Sequence, residues 1–114
     1  MKFTTSLKKN YEFKRLYNRG RSVASKYVVV YCNKNGRDEN RLGITVTTKL
    51  GGAVQRNRIR RRLKEVYRIN ESDLRKGYDI VFVARMRCVE APWQEIESSV
   101  LYLLKKLGLS EKHC

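Results

Sequence analysis

Apolar residues recur along this chain with two different periods, and the switches between them mark out six elements. Phe13, Leu16 and Tyr17 lie at helical spacing between Asn10, a capping residue type, and Gly20. They predict a helix from Asn10 to about Arg19. "SVASKYVVVYCN" (22–33) alternates with period two, as a strand does. Tyr27, Val29 and Tyr31 share one face, and Val28, Val30 and Cys32 share the other. "KNGRDEN", with Asn35-Gly36, is a hairpin turn longer than the two-residue type. "RLGITVTTK" (41–49) is the return strand. Its Leu42, Ile44 and Val46 face one way; Gly43, Thr45 and Thr47 face the other, where small side chains leave room above the sheet. Gly51-Gly52 breaks the chain before a second helix whose apolar stripe is Ile59, Leu63, Val66 and Tyr67. "GYDIVFVAR" (77–85) is apolar on both faces, the pattern of a central or parallel strand. Pro92 fits the first turn of a last helix and Gly108 its end, with Trp93, Ile96, Val100, Leu103, Leu104 and Leu107 as its stripe. The order α-β-β-α-β-α predicts an α+β fold: an α-β sandwich with one mostly antiparallel sheet of three to four strands. The length suits a single domain over 1–114, with residues 109–114 as a flexible tail.

Charge turns this scaffold into a candidate polyanion binder. The net charge is +15, and from Arg87 onward four basic residues are matched by four glutamates, so the whole excess lies in residues 1–85. The second helix crowds Arg56, Arg58, Arg60, Arg61, Arg62, Lys64 and Arg68 into thirteen positions. At 100° per residue, Arg58, Arg61, Lys64, Glu65 and Arg68 point away from the apolar stripe, with Arg60 and Arg62 on the flanks. Glu65 is the only acid on this face, and a single helical ion pair contributes only about 0.5 kcal/mol or less. A solvated surface helix usually mixes signs; this one needs an anionic partner. Arginine predominates, and its planar fork suits phosphate and stacks on bases. The Gly51-Gly52 approach leaves free N–H groups at the helix start, another anion site. The G-x-x-x-x-G-K-[ST] pattern of a P-loop is absent.

Catalytic signatures are lacking. The single histidine, His113, sits in the tail and offers no triad or general base. Asp38 and Glu39 fall in the hairpin turn, and Asp73 and Asp79 read as structural. No carboxylate cluster suggests a two-metal nuclease. Cys32, Cys88 and Cys114 are too far apart for zinc spacing, and Cys32 reads as a reduced core thiol, which favours the cytoplasm. The N-terminal stretch has no apolar signal region and no run approaches a membrane span.

"RLGITVTTKLGGAVQRNRIRRRLKEVYR" (41–68) resembles the signature of the bacterial ribonuclease P protein subunit, centred on Arg56-Asn57-Arg58, with Ala53-Val54 before and Arg61-Arg62 and Glu65 after. "FKRLYNRGRSV" and "GYDIVFVAR" resemble the family's first helix and later strand, so the likeness covers nearly the whole chain. Thr48 stands where the family usually has the first lysine of a pair, and Gly52 where a polar or basic residue often precedes the alanine. The resemblance implies a left-handed strand–helix–strand crossover through the arginine helix, against the usual right-handed rule. It implies that the protein has no catalytic residue: a catalytic RNA, with magnesium bound mainly by that RNA, hydrolyses the phosphodiester at the 5′ end of mature tRNA. It assigns catalytic-RNA binding to Lys49, Arg56, Asn57, Arg58, Arg60, Arg61, Arg62, Lys64 and Arg68. It assigns the single-stranded leader of precursor tRNA to a cleft containing Phe13, Tyr17 and Tyr31. By spacing alone Phe13 and Tyr17 are core residues, and Tyr31 is equally core or half-exposed. The implied partners are the catalytic RNA and precursor tRNA, with no membrane and no obligate protein. The competing readings are a ribosomal or other structural RNA-binding protein without turnover, and a membrane-active basic helix.

Overall fold

The structure, a computed structural model, describes residues 1–110. A five-stranded sheet in the order β1-β4-β5-β3-β2 separates two unequal cores. Its strands are β1 (Thr4–Ser6), β2 (Arg21–Ala24), β3 (Val28–Lys34), β4 (Asn40–Thr45) and β5 (Tyr78–Ala84). The helices are α1 (Asn10–Arg19), α2 (Ala53–Asn70) and α3 (Trp93–Lys106). The α+β sandwich stands, with more strands than the three to four expected. β1 is the strand that periodicity misses, because three residues carry no readable alternation. "SVASKYVVVYCN" is two strands rather than one: a turn at 25–27 folds β2 back antiparallel onto β3. The sheet is also less antiparallel than expected. β1–β4 and β4–β5 are parallel, whereas β5–β3 and β3–β2 are antiparallel. α2 is the crossover between the parallel neighbours β4 and β5.

β5 is the central strand its two-faced apolar pattern predicts. Ile80, Phe82 and Ala84 enter the larger core, while Val81 lies in the smaller one, with Val83 packed against it. The larger core takes Val28, Val30 and Cys32 of β3, the stripe Ile59–Leu63–Val66–Tyr67 of α2, and Ile96, Val100, Leu103 and Leu104 of α3. On the opposite face α1 lays Leu16 over Val81, with Leu7 beside it and Phe13 and Tyr31 at the margin. Tyr27 departs from the alternation: it stands in the turn before β3, packs into the larger core and donates its hydroxyl hydrogen bond to Glu95.

Three helix ends differ from their expected mechanism. Gly20 ends α1 at an ordinary φ of −74°. A Cβ there would stand 2.7 Å from the Leu16 carbonyl oxygen, so close approach is what requires glycine. Lys9, not Asn10, is the residue before α1, and Pro92 likewise precedes α3 rather than opening its first turn. Gly108, at φ 77°, reverses the chain after α3. The segment that follows is not a loose tail at its start: Leu109 is fully buried and Ser110 bridges to Leu74. Residues 111–114, including His113 and Cys114, lie outside the described residues.

Candidate nucleic-acid interface

α2 separates apolar from cationic residues as its periodicity predicts. Ile59, Leu63, Val66 and Tyr67 are buried; Arg58, Arg61, Lys64 and Arg68 are exposed; Arg56, Arg60 and Arg62 sit half-buried on the flanks. Gln55 closes the helix start by donating to the Leu50 carbonyl at 2.6 Å. Asn57 accepts from Arg60 at 3.2 Å, which orients that guanidinium along the helix. Glu65 accepts from Arg68 at 2.9 and 2.5 Å, and this hydrogen-bonded pairing holds the Glu65 carboxyl below its usual range. With Glu65 so engaged, no carboxylate among the described residues lies within ion-pair distance of Arg58, Arg61 or Arg62. Lys49, exposed in the short 3₁₀ turn Thr48–Leu50, extends the same basic surface ahead of the helix. The Arg56 Nε is buried without a partner. An orphaned buried donor is costly unless a ligand satisfies it.

The other candidate surface lies across the sheet. Phe13 and Tyr17, one helical turn apart on α1, meet Tyr31 of β3: Tyr17 and Tyr31 pack edge to face at 5.0 Å, and Phe13 and Tyr17 are 6.5 Å apart. Gly43 of β4 makes the room that small side chains predicted. A Cβ there would fall 2.5 Å from the Phe13 ring. Thr45 shares a 2.8 Å hydrogen bond with the Tyr17 hydroxyl, which fixes that ring to the sheet while leaving it 41% exposed. The three aromatics therefore form one cluster, and only Tyr17 projects substantially from it. Lys14, Arg15 and Arg19 are exposed on the same helix, and Lys8 is exposed just ahead of it.

Sequence reasoning missed what fastens this wall. Arg41 of β4 reaches both Glu12 of α1 and Asp79 of β5, donating to Asp79 at 2.8 and 2.7 Å; all three are largely buried. The pairing with Asp79 holds the guanidinium protonated to still higher pH than usual. A single arginine in an alternating strand gives no hint of two acids 29 and 38 positions away. The N-terminus is fastened similarly. Glu71, buried at the end of α2, accepts the Lys2 and Phe3 N–H groups at 2.6 and 3.2 Å. Asn40 donates to the Tyr67 hydroxyl and the Arg75 carbonyl, and accepts from the Tyr78 N–H. Burial raises the thiols of Cys32 and Cys88 above their usual range, which disfavours the thiolate form.

The described residues hold no group of three or more His, Cys, Asp or Glu able to bind a metal ion, and no helix among them is long and apolar enough to cross a membrane. Glu12 and Asp79 are engaged by Arg41 and Glu65 by Arg68, so these carboxylates do not fit a resident magnesium ion. An apolar stripe committed to the core also leaves α2 nothing to place in lipid.

Comparison with known proteins agrees with this geometry. The family model described as Ribonuclease P matches residues 1–108. The Ribonuclease P protein component of Alkaliphilus oremlandii (strain OhILAs) is 46% identical over 109 residues, covering 96% of each chain. That of Clostridioides difficile (strain 630) is 44% identical over 108 residues, covering 94% of this chain and 95% of its own. Among solved structures, the Staphylococcus aureus RNase P protein superposes with a TM-score of 0.85 at 36% identity, covering 95% of this chain and 97% of that one. The Thermotoga maritima protein gives 0.81 at 33% identity, covering 89% and 96%. A family model matched over residues 1–108, and a fold and sequence shared over nearly the whole length with these proteins, make this chain a member of the ribonuclease P protein family, the RNA-binding protein subunit of the endonuclease that matures tRNA 5′ ends.

Proposed function

We propose that the two surfaces divide the work of that subunit. The observation that carries the reading is the cationic face of α2, whose one acid is already paired and whose opposite face is committed to the core. Lys49, Arg56, Asn57, Arg58, Arg60, Arg61, Arg62, Lys64 and Arg68 bind phosphates of the catalytic RNA. Phosphate contacts give strong, salt-dependent affinity without sequence preference. Phe13, Tyr17 and Tyr31 receive the 5′ leader of precursor tRNA, where bases stack on aromatic faces with little sequence preference. Magnesium ions for the hydrolysis are held mainly by the partner RNA, and the complex works in the cytoplasm.

The primary test is cleavage of precursor tRNA by the catalytic RNA at low magnesium, with and without this chain. Stimulation is expected, and a structural RNA binder would give none. The cleft is tested by paired dissociation constants for long-leader, one-nucleotide-leader and mature tRNA. Tyr17→Ala or Tyr31→Ala is expected to erode long-leader preference by about 1–3 kcal/mol per lost stack, leaving the other two RNAs unchanged. Equal loss on all three would assign these rings to the core.

A further inference from the structure

Trp93 is left unused by both surfaces. As the first residue of α3 it fits the apolar stripe, and its inner edge closes a recess lined by Ile59, Leu63, Cys88 and Ile96. Its outer side faces an open groove shared with Arg58, Arg61, Arg62 and Glu65. The Arg62 guanidinium lies over the indole, 5.6 Å from its centroid. Within the groove, Glu65 is already paired to Arg68, so the three arginines have no carboxylate of their own.

We infer that Trp93 and Arg62 form a stacking platform for one unpaired nucleotide of the catalytic RNA, with the neighbouring phosphates held by Arg58 and Arg61. The inference rests on the reading of α2 as the catalytic-RNA surface. Phosphates alone would satisfy the arginines but offer nothing to an indole. A base in a duplex is stacked on its neighbours and hides its face. An unpaired base meets both demands, because a guanidinium and an indole each present a flat, polarisable surface to it. Packing of the inner edge holds the ring in place before the RNA arrives, which limits the entropy lost on binding.

Trp93 is the only tryptophan in the chain, so its fluorescence reports on this groove alone. The full chain is titrated with four probes: the catalytic RNA, a single-stranded oligoribonucleotide, an RNA duplex and inorganic polyphosphate. Binding is followed in parallel by labelled RNA or competition. The catalytic RNA and the single strand are expected to quench emission in step with binding; duplex and polyphosphate should bind with little quenching. Trp93→Leu should weaken catalytic-RNA binding about 5- to 150-fold, the range that stacking of one base spans, and Trp93→Phe should restore most of it. Unchanged emission at saturation overturns the inference, as does equal quenching by polyphosphate or wild-type affinity in a folded Trp93→Leu. Should the leucine variant fail to fold, the wild-type emission decides. Quenching by precursor tRNA alone at lower concentration than by the catalytic RNA would overturn the assignment to the catalytic RNA. If Arg58→Ala and Arg61→Ala leave catalytic-RNA binding intact, the reading of α2 falls and this inference with it. If those variants weaken binding while Trp93 stays silent, only the inference falls.

Discussion

Gly43 shows how one missing side chain shapes a surface. The Phe13 ring occupies the space a Cβ would need, so Gly43→Ala must push the ring off β4. Overpacking of this kind costs about 1–3 kcal/mol. The loss should appear in denaturant melts, and the long-leader preference should fall with it, since Phe13 leans toward Tyr17. Glu71 makes a different residue-scale prediction. Burial alone would raise its carboxyl, but hydrogen bonds from Thr4 and from the Lys2 and Phe3 N–H groups outweigh that and hold it below the usual range. A depressed folded-state value stabilises the protein above the unfolded value, and that contribution disappears as pH falls through the folded one. Glu71→Gln should therefore cost about 1–3 kcal/mol near neutral pH. The gap between variant and wild type should close below about pH 4, where carboxylates protonate. Melts of both proteins across that range measure it; a gap that is constant with pH would show that the charge is irrelevant.

At the scale of elements, α2 must separate stability from binding. Leu63→Ala should cost about 2–5 kcal/mol, because Leu63 is fully buried. Arg58→Ala and Arg61→Ala should leave the thermal midpoint nearly unchanged and weaken assembly with the catalytic RNA. Unfolding by both classes would overturn the face assignment. α1 depends instead on a charged clamp. Arg41→Ala strands Glu12 and Asp79, and loss of charge-assisted hydrogen bonds should cost about 1.5–3 kcal/mol. Arg41→Lys should recover little, since one ammonium cannot grip Asp79 with two parallel N–H groups while reaching Glu12. Hydrogen exchange should show α1 amides opening sooner in either variant, and leader preference should decline with them.

For the whole molecule, a charge of +15 that gathers in residues 1–85 sets the response to salt. Catalytic-RNA affinity should fall linearly on a log–log plot against salt, with a slope close to the number of phosphates contacted. A flat response would remove the electrostatic basis of the reading. The charge also sets a demand on the two cores: self-repulsion works against the compact state, and their apolar burial has to outweigh it.

Period and charge are local properties, and the sequence alone determined whatever depends on them. The three helices, the buried stripe and exposed arginines of α2, the two-faced β5 and the room over Gly43 all follow from residues within one element. The likeness of 41–68 to a known signature supplied the family. Tertiary structure decided what joins distant segments. β1 is three residues whose only reason to be extended is the edge of β4. The break at 25–27 exists because β2 finds a partner in β3. Arg41, Glu12 and Asp79 are individually ordinary and become a clamp only when α1, β4 and β5 converge. Trp93 reads as another core residue until α3 brings it beneath Arg62. Such contacts carry no periodic signal, because their partners are set by how the chain folds back on itself.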